Sequence, residues 1–131
     1  MSGRAVKAKL TYTGIRVRDL DASIRFYTTV LGMTVRAQGV LEPTGGTVVD
    51  LVSDPGGAPL ELNYYPPGSV FDSAFAAGEG LDHLGFQVED LDRAIAEDAK
   101  AVHPVVHEVG SGSKRWVYIE DPNGIWIELF A

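Results

Sequence analysis

The sequence predicts an α+β fold made of two βαβββ modules, and three observations carry that prediction. Asp54, Pro55, Gly57, Glu61 and Leu62 in DPGGAPLEL recur as Asp121, Pro122, Gly124, Glu128 and Leu129 in DPNGIWIELF, at a constant offset of 67. Val17, Asp19, Leu20, Asp21 and Ile24 recur as Val88, Asp90, Leu91, Asp92 and Ile95, at a constant offset of 71. In each copy, stretches that alternate with period two surround one stretch of helical spacing. Two copies of this length make a duplicated module rather than a solenoid array, and two modules imply a pseudo-symmetric cavity.

Residues 1–9 read as a frayed basic leader, and module one runs over about 10–65. Residues 10–17 alternate as a strand, with Ile15 and Val17 on one face and Tyr12, Gly14 and Arg16 on the other. Asp21 is the expected N-cap of a helix over 22–31, in which Ile24, Tyr27 or Phe26, and Leu31 recur at helical spacing and Gly32 supplies the stop. Strands follow at 35–41, 47–53 and 60–65, separated by Gly- and Pro-bearing turns. In the last, Leu60, Leu62 and Tyr64 share one face and Glu61, Asn63 and Tyr65 the other. Residues 66–80 form a connector, with a short helix expected around 71–77. Module two, about 81–131, restarts with a strand over 81–88 that points Leu84, Phe86 and Val88 inward and His83, Gly85 and Gln87 the opposite way. Asp90 leads into a helix reaching about Lys100, and strands at 105–109, 114–120 and 125–130 complete the copy.

A chain of 131 residues with 45% apolar content suits one domain, 1–131, with a real core. A net charge of -7 argues against a nucleic-acid surface, which needs clustered Lys and Arg. The absence of cysteine excludes disulfides, thiolate metal sites and a cysteine nucleophile. MSGRAVKAKL lacks an apolar segment of signal-peptide length, and no run approaches the roughly 18 apolar residues that span a bilayer. A soluble cytoplasmic protein without a membrane partner is expected.

Parity places Tyr12, Glu61, His83 and Glu128 on the faces away from the helices, with the 71 offset setting Tyr12 against His83. One imidazole and two carboxylates are the donor mixture that suits a divalent metal with open positions for water or substrate. Residues of an exposed sheet face share this parity, so alternation alone leaves both readings open. Trp116 and Tyr118 fall on the side of Glu120, and Trp126 and Phe130 on the side of Glu128, where aromatic rings would wall a small ligand. His103 and His107, four apart, would suit a metal pair on a helix, but Pro104, Val105 and Val106 favour a strand. The GSGSK run at 110–114 lacks the ending of a phosphate loop and reads as a mobile hairpin loop.

With RVRDLDASIRFYTTVLGM at 16–33, LELNYY at 60–65, DHLGFQV at 82–88 and IEDPNGIWIELF at 119–130, the chain resembles the vicinal oxygen chelate superfamily over about 12–130. Members include glyoxalase I (lactoylglutathione lyase), bleomycin and fosfomycin resistance proteins, extradiol dioxygenases and methylmalonyl-CoA epimerase; the motifs are most similar to glyoxalase I. The resemblance implies two βαβββ modules forming a curved mixed sheet around a metal-binding central cavity, and a homodimer that completes or supports the site. The glyoxalase I ligand positions match Tyr12, Glu61, His83 and Glu128. The family has His or Gln where this chain has Tyr12, so either tyrosinate binds, water substitutes, or the metal site is lost. Arg16 matches an arginine that meets glutathione, whereas Tyr65 stands at an expected Asn and Glu79 at a second arginine. A substrate other than a glutathione adduct is the simpler inference.

The expectation is therefore a glyoxalase-like lyase or isomerase that uses a divalent ion (Ni, Zn, Mn, Fe or Co) on a small substrate with two adjacent oxygens. His83, Glu61 and Glu128 would hold the metal, with Tyr12 the position in question. Glu128 would act as base, with Glu61 as the alternative. Arg16, Tyr65, Trp116, Tyr118 and Trp126 would bind substrate. The competing readings are a metal-free protein that sequesters a drug or metabolite, and a dioxygenase of the same superfamily.

Overall fold

The computed structural model describes residues 7, 11–42, 45–53, 56–69, 72, 74, 76, 79, 81, 83–100 and 105–131. Its elements are β1 (Thr13–Arg16), α1 (Leu20–Arg25) running into a π-helical stretch (Phe26–Val30), β2 (Thr34–Leu41), β3 (Gly46–Val52), β4 (Leu60–Tyr64), β5 (His83–Gln87), α2 (Leu91–Lys100), β6 (His107–Ser111), β7 (Lys114–Glu120) and β8 (Trp126–Phe130). They build two four-stranded sheets of equivalent topology, ordered β1-β4-β3-β2 and β5-β8-β7-β6. In each, the first strand of the module lies parallel to its last, and the remaining pairs are antiparallel. This is the duplicated α+β architecture read from the repeats.

One face of each sheet is buried, as period two requires. Ile15, Val17, Val49, Leu51, Leu60 and Leu62 of the first module join Val117, Ile119, Ile127 and Leu129 of the second in one core. Burying each such side chain contributes about 1.5–3 kcal/mol, so a one-residue register slip in any of these strands would expose several of them together.

Asp19, not Asp21, caps α1. Its backbone is extended (φ -122°, ψ 102°) and its carboxylate accepts from the Ala22 amide at 3.0 Å, so the helix begins at Leu20 rather than at 22. Asp21 instead lies in the first turn, where a negative charge faces the positive end of the helix dipole. Asp90 repeats the cap 71 residues later by accepting from the Arg93 amide at 3.1 Å. Beyond Arg25 the helix widens, with both Phe26 and Tyr27 in the core and their rings edge to face at 5.1 Å. Gly32 ends it in the left-handed region (φ 68°). The short helix expected around 71–77 lies largely outside the described residues, as does His103.

The 110–114 run is a hairpin, as its glycines suggest, and a tight one, since β6 continues to Ser111, which pairs with Lys114. Gly110 makes this possible with φ 79°; a Cβ there would lie 2.0 Å from the Lys114 carbonyl oxygen. Gly110→Ala is therefore expected to destabilise the protein by about 2 kcal/mol or more, visible as a lower urea midpoint. Among the described residues no helix is long and apolar enough to cross a membrane.

The modules are joined by the turn before β8. Asp121 is buried, and its Oδ1 accepts from the Asn123 and Ile125 amides, both at 2.8 Å. Its Oδ2 accepts from the Tyr27 hydroxyl and from Asn123 Nδ2, both at 2.9 Å. Asn123 in turn donates to Ser23 Oγ at 3.2 Å and accepts from the Arg18 amide at 2.9 Å. The DPNG turn of module two thus anchors α1 of module one. Burial, reinforced by the Asp121 charge and hydrogen bond, pushes the Tyr27 phenol far above its ordinary value. Because an unfolded tyrosine ionises near pH 10 and this one does not, its contribution to stability is complete below about pH 10 and falls above it.

Candidate metal and substrate site

The ladder registers arrange the exposed face of the second sheet in rows. His83 stands beside Trp126, and Trp126 beside Glu120. In the next row Gly85, Glu128, Tyr118 and His107 follow one another across four strands. Gln87, Phe130, Trp116 and Val109 form a third. Every site residue that parity assigned to module two therefore lies on one face, opposite Ile127 and Leu129.

Within this face, His83 Nε2 lies 2.9 Å from Glu128 Oε2, with side-chain exposures of 32% and 22%. Gly85 puts no side chain next to Glu128 in its row, where a Cβ would meet only the Phe130 ring, at 3.6 Å. Two donors that share a divalent ion at about 2.1 Å stand about 3 Å apart, so the pair has the spacing of neighbouring ligands. An imidazole donating to a carboxylate has the same separation. The rings continue from this pair: Tyr118 meets His83 edge-on at 5.5 Å and Trp126 at 5.3 Å.

The first sheet repeats the plan with other chemistry. Gly14 stands beside Glu61, and Glu61 beside Asp50, whose carboxylate accepts from Arg36 Nε at 2.7 Å. Tyr12 precedes β1, is 52% exposed, and flanks Gly14 together with Glu61: a Cβ on Gly14 would lie 4.0 Å from the Tyr12 ring and 3.9 Å from Glu61 Oε1. Arg16 lies 5.1 Å over the Tyr65 ring and bonds Asp72 at 3.2 Å. The four proposed ligands thus fall into two pairs, Tyr12 with Glu61 and His83 with Glu128. Among the described residues no three of His, Asp and Glu gather as a metal site. A cavity of about 740 Å³ opens between the start of β4 and β5, lined by Met33, Leu60, Leu84 and Phe86 among others, but by none of the four.

The family model for the Glyoxalase/Bleomycin resistance protein/Dioxygenase superfamily matches residues 9–129. The chain belongs to this superfamily. It is 29% identical over 126 residues to the uncharacterized protein YwbC of Bacillus subtilis, covering 93% of this chain and 96% of that one. It is 31% identical over 127 residues to a probable lactoylglutathione lyase of Vibrio cholerae, covering 92% of this chain and 88% of the relative. Among solved structures it is similar to the trypanothione-dependent glyoxalase I of Leishmania major, with 32% identity and a TM-score of 0.78 over 94% of this chain and 86% of that one. This superfamily member carries its duplicated acids in equivalent rows of the two sheets.

The rows of the superfamily member bring together residues that local alternation does not connect. His107, whose spacing from His103 suggests only a metal pair, faces Tyr118 in the row of Glu128, and its ring lies 5.0 Å from Trp126. Gly14 and Gly85, 71 residues apart, fall on these faces by parity, and the ladders set them beside Glu61 and Glu128. Asp50 carried no signal, because its place beside Glu61 depends on how β3 pairs with β4.

Proposed function

We propose that this chain is a glyoxalase-like, metal-dependent lyase or isomerase acting on a small substrate with two adjacent oxygens, and that it works as a single-domain homodimer in the cytoplasm. The observation that carries the reading is the half-buried His83–Glu128 pair at 2.9 Å beneath an aromatic wall. Two protein donors are fewer than a catalytic divalent site uses. The second pair, Glu61 with Tyr12, occupies the equivalent place on the other sheet. The outer sides of β1 and β5 are unpaired within their own sheets. Two copies that meet along these edges would bring the first sheet of one to the second sheet of the other, completing the donor set.

A divalent ion held by His83, Glu128 and Glu61 would supply Lewis-acid polarisation of the two oxygens. Glu128, on the strand beside His83, is the group proposed to take a proton from one substrate carbon and return it to the neighbour, with Glu61 as its duplicate. Tyr118 and Trp126 wall the space beside Glu128, and Trp116 extends the same wall. Arg16 and Tyr65 bind substrate from the other sheet. Arg16 is already engaged by Asp72, which supports a substrate other than a glutathione adduct.

The exposed phenol of Tyr12 favours the second reading, a metal-free binding protein. Metal analysis of protein purified without chelator separates the two, together with melting temperature on addition of Ni, Zn, Mn, Fe or Co ions. We expect bound metal and an upward shift, since an ion at a hundredfold its Kd adds about 2.7 kcal/mol of stability. Metal-free protein whose melting is indifferent to all five ions would leave the binding-protein reading standing.

A further inference from the structure

His107 has no part in the proposed donor set, yet it ends the row that contains Glu128 and Tyr118. Its ring lies 5.0 Å from Trp126 at 48°, and Trp126 lies 5.3 Å from Tyr118 at 45°. Three tilted rings on three neighbouring strands therefore form a continuous π surface that begins next to Glu128. Trp126 is 37% exposed and His107 is also exposed, so the surface is open to a ligand. The charges on this part of the face are carboxylates, Glu120 and Glu128. Arg115 alternates with this face and is paired with Asp92 and Glu108, and Lys114 is at the far hairpin beside Ser111. A polyanionic tail finds no complement here, whereas a flat neutral ring finds exposed aromatic faces on which to stack.

We propose that His107 is a specificity-determining residue that holds Trp126 against Tyr118, and that the favoured substrate carries a flat, uncharged ring next to its two adjacent oxygens. This rests on the metal-dependent reading for the oxygens and on the ring geometry alone for the flat group. His107 acts through Trp126, so it is a positioning residue rather than a catalytic one.

The test uses the full chain loaded with metal. Acetohydroxamate and benzohydroxamate present the same two oxygens and differ in a methyl against a phenyl group, and calorimetry gives both Kd values. Benzohydroxamate is expected to bind about tenfold more tightly. In His107→Ala this preference should fall to about twofold, while His107→Phe, which keeps a ring against Trp126, should retain it. Acetohydroxamate affinity should be equal in all three proteins, and circular dichroism should show each folded. A preference that survives His107→Ala, or that is lost equally in His107→Phe, overturns the proposal. Benzamide, which has the ring without the chelating pair, separates this proposal from the metal reading. If neither hydroxamate binds but benzamide still binds in a His107-dependent way, the metal reading fails and the ring subsite stands. Benzamide binding that is indifferent to His107→Ala overturns the subsite.

Discussion

Asp121→Ala is expected to lower folding stability by about 3–4 kcal/mol, measured as a fall in the urea midpoint at unchanged m-value. The carboxylate is buried and accepts four hydrogen bonds, from the Tyr27 hydroxyl, the Asn123 side chain and the amides of Asn123 and Ile125. Removing it leaves these donors without an acceptor in a site water does not reach, and each orphaned buried polar group costs about 1–3 kcal/mol. Tyr27→Phe removes only one of the four bonds and should cost about 1–2 kcal/mol. Because Tyr27 belongs to module one and Asp121 to module two, the double variant should be less destabilised than the sum of the two single ones. Additivity would show that the bond does not couple the modules.

His83→Ala and Glu128→Gln should each weaken metal binding by about a hundredfold or more, whereas Tyr12→His should strengthen it. The opposite signs follow from donor chemistry: the first two remove an imidazole and a carboxylate from the 2.9 Å pair, and the third puts an imidazole where a neutral phenol stands. Glu128→Gln should also reduce turnover by a factor of about 10²–10⁴ beyond the loss due to metal, since an amide cannot take up the proton. Calorimetric metal titration gives the affinities, and isomerisation of a hydrated α-ketoaldehyde to its α-hydroxy acid, without glutathione and at saturating metal, gives the rate. Metal affinity unchanged in both His83→Ala and Glu128→Gln would remove the pair from the site. Normal metal binding with no isomerisation in the unaltered protein would point to another substrate.

The faces of the strands were readable because alternation is a local property. Ile127 and Leu129 alternate with Trp126, Glu128 and Phe130, and burial follows that alternation without exception. Helix starts were less readable, because Asp19 and Asp21 both suit a cap and only the backbone conformation of Asp19 distinguishes them. The DPNG motif by itself indicates only a turn that feeds β8. Its larger role depends on Tyr27, 94 residues away, which no local pattern could connect to Asp121.

The sequence by itself determined the duplication, the α+β class and the face on which each acid lies, because repeats and period-two alternation are written in neighbouring residues. Tertiary structure alone decided which side chains share a row. Strand register set His107 beside Tyr118, Asp50 beside Glu61 and His83 beside Trp126, and the separation of the two sheets divided the four proposed ligands two and two. The physical reason is that register is fixed by burial across strands distant in sequence: each strand specifies its own inward face, but its neighbours emerge only when all the inward faces are packed together.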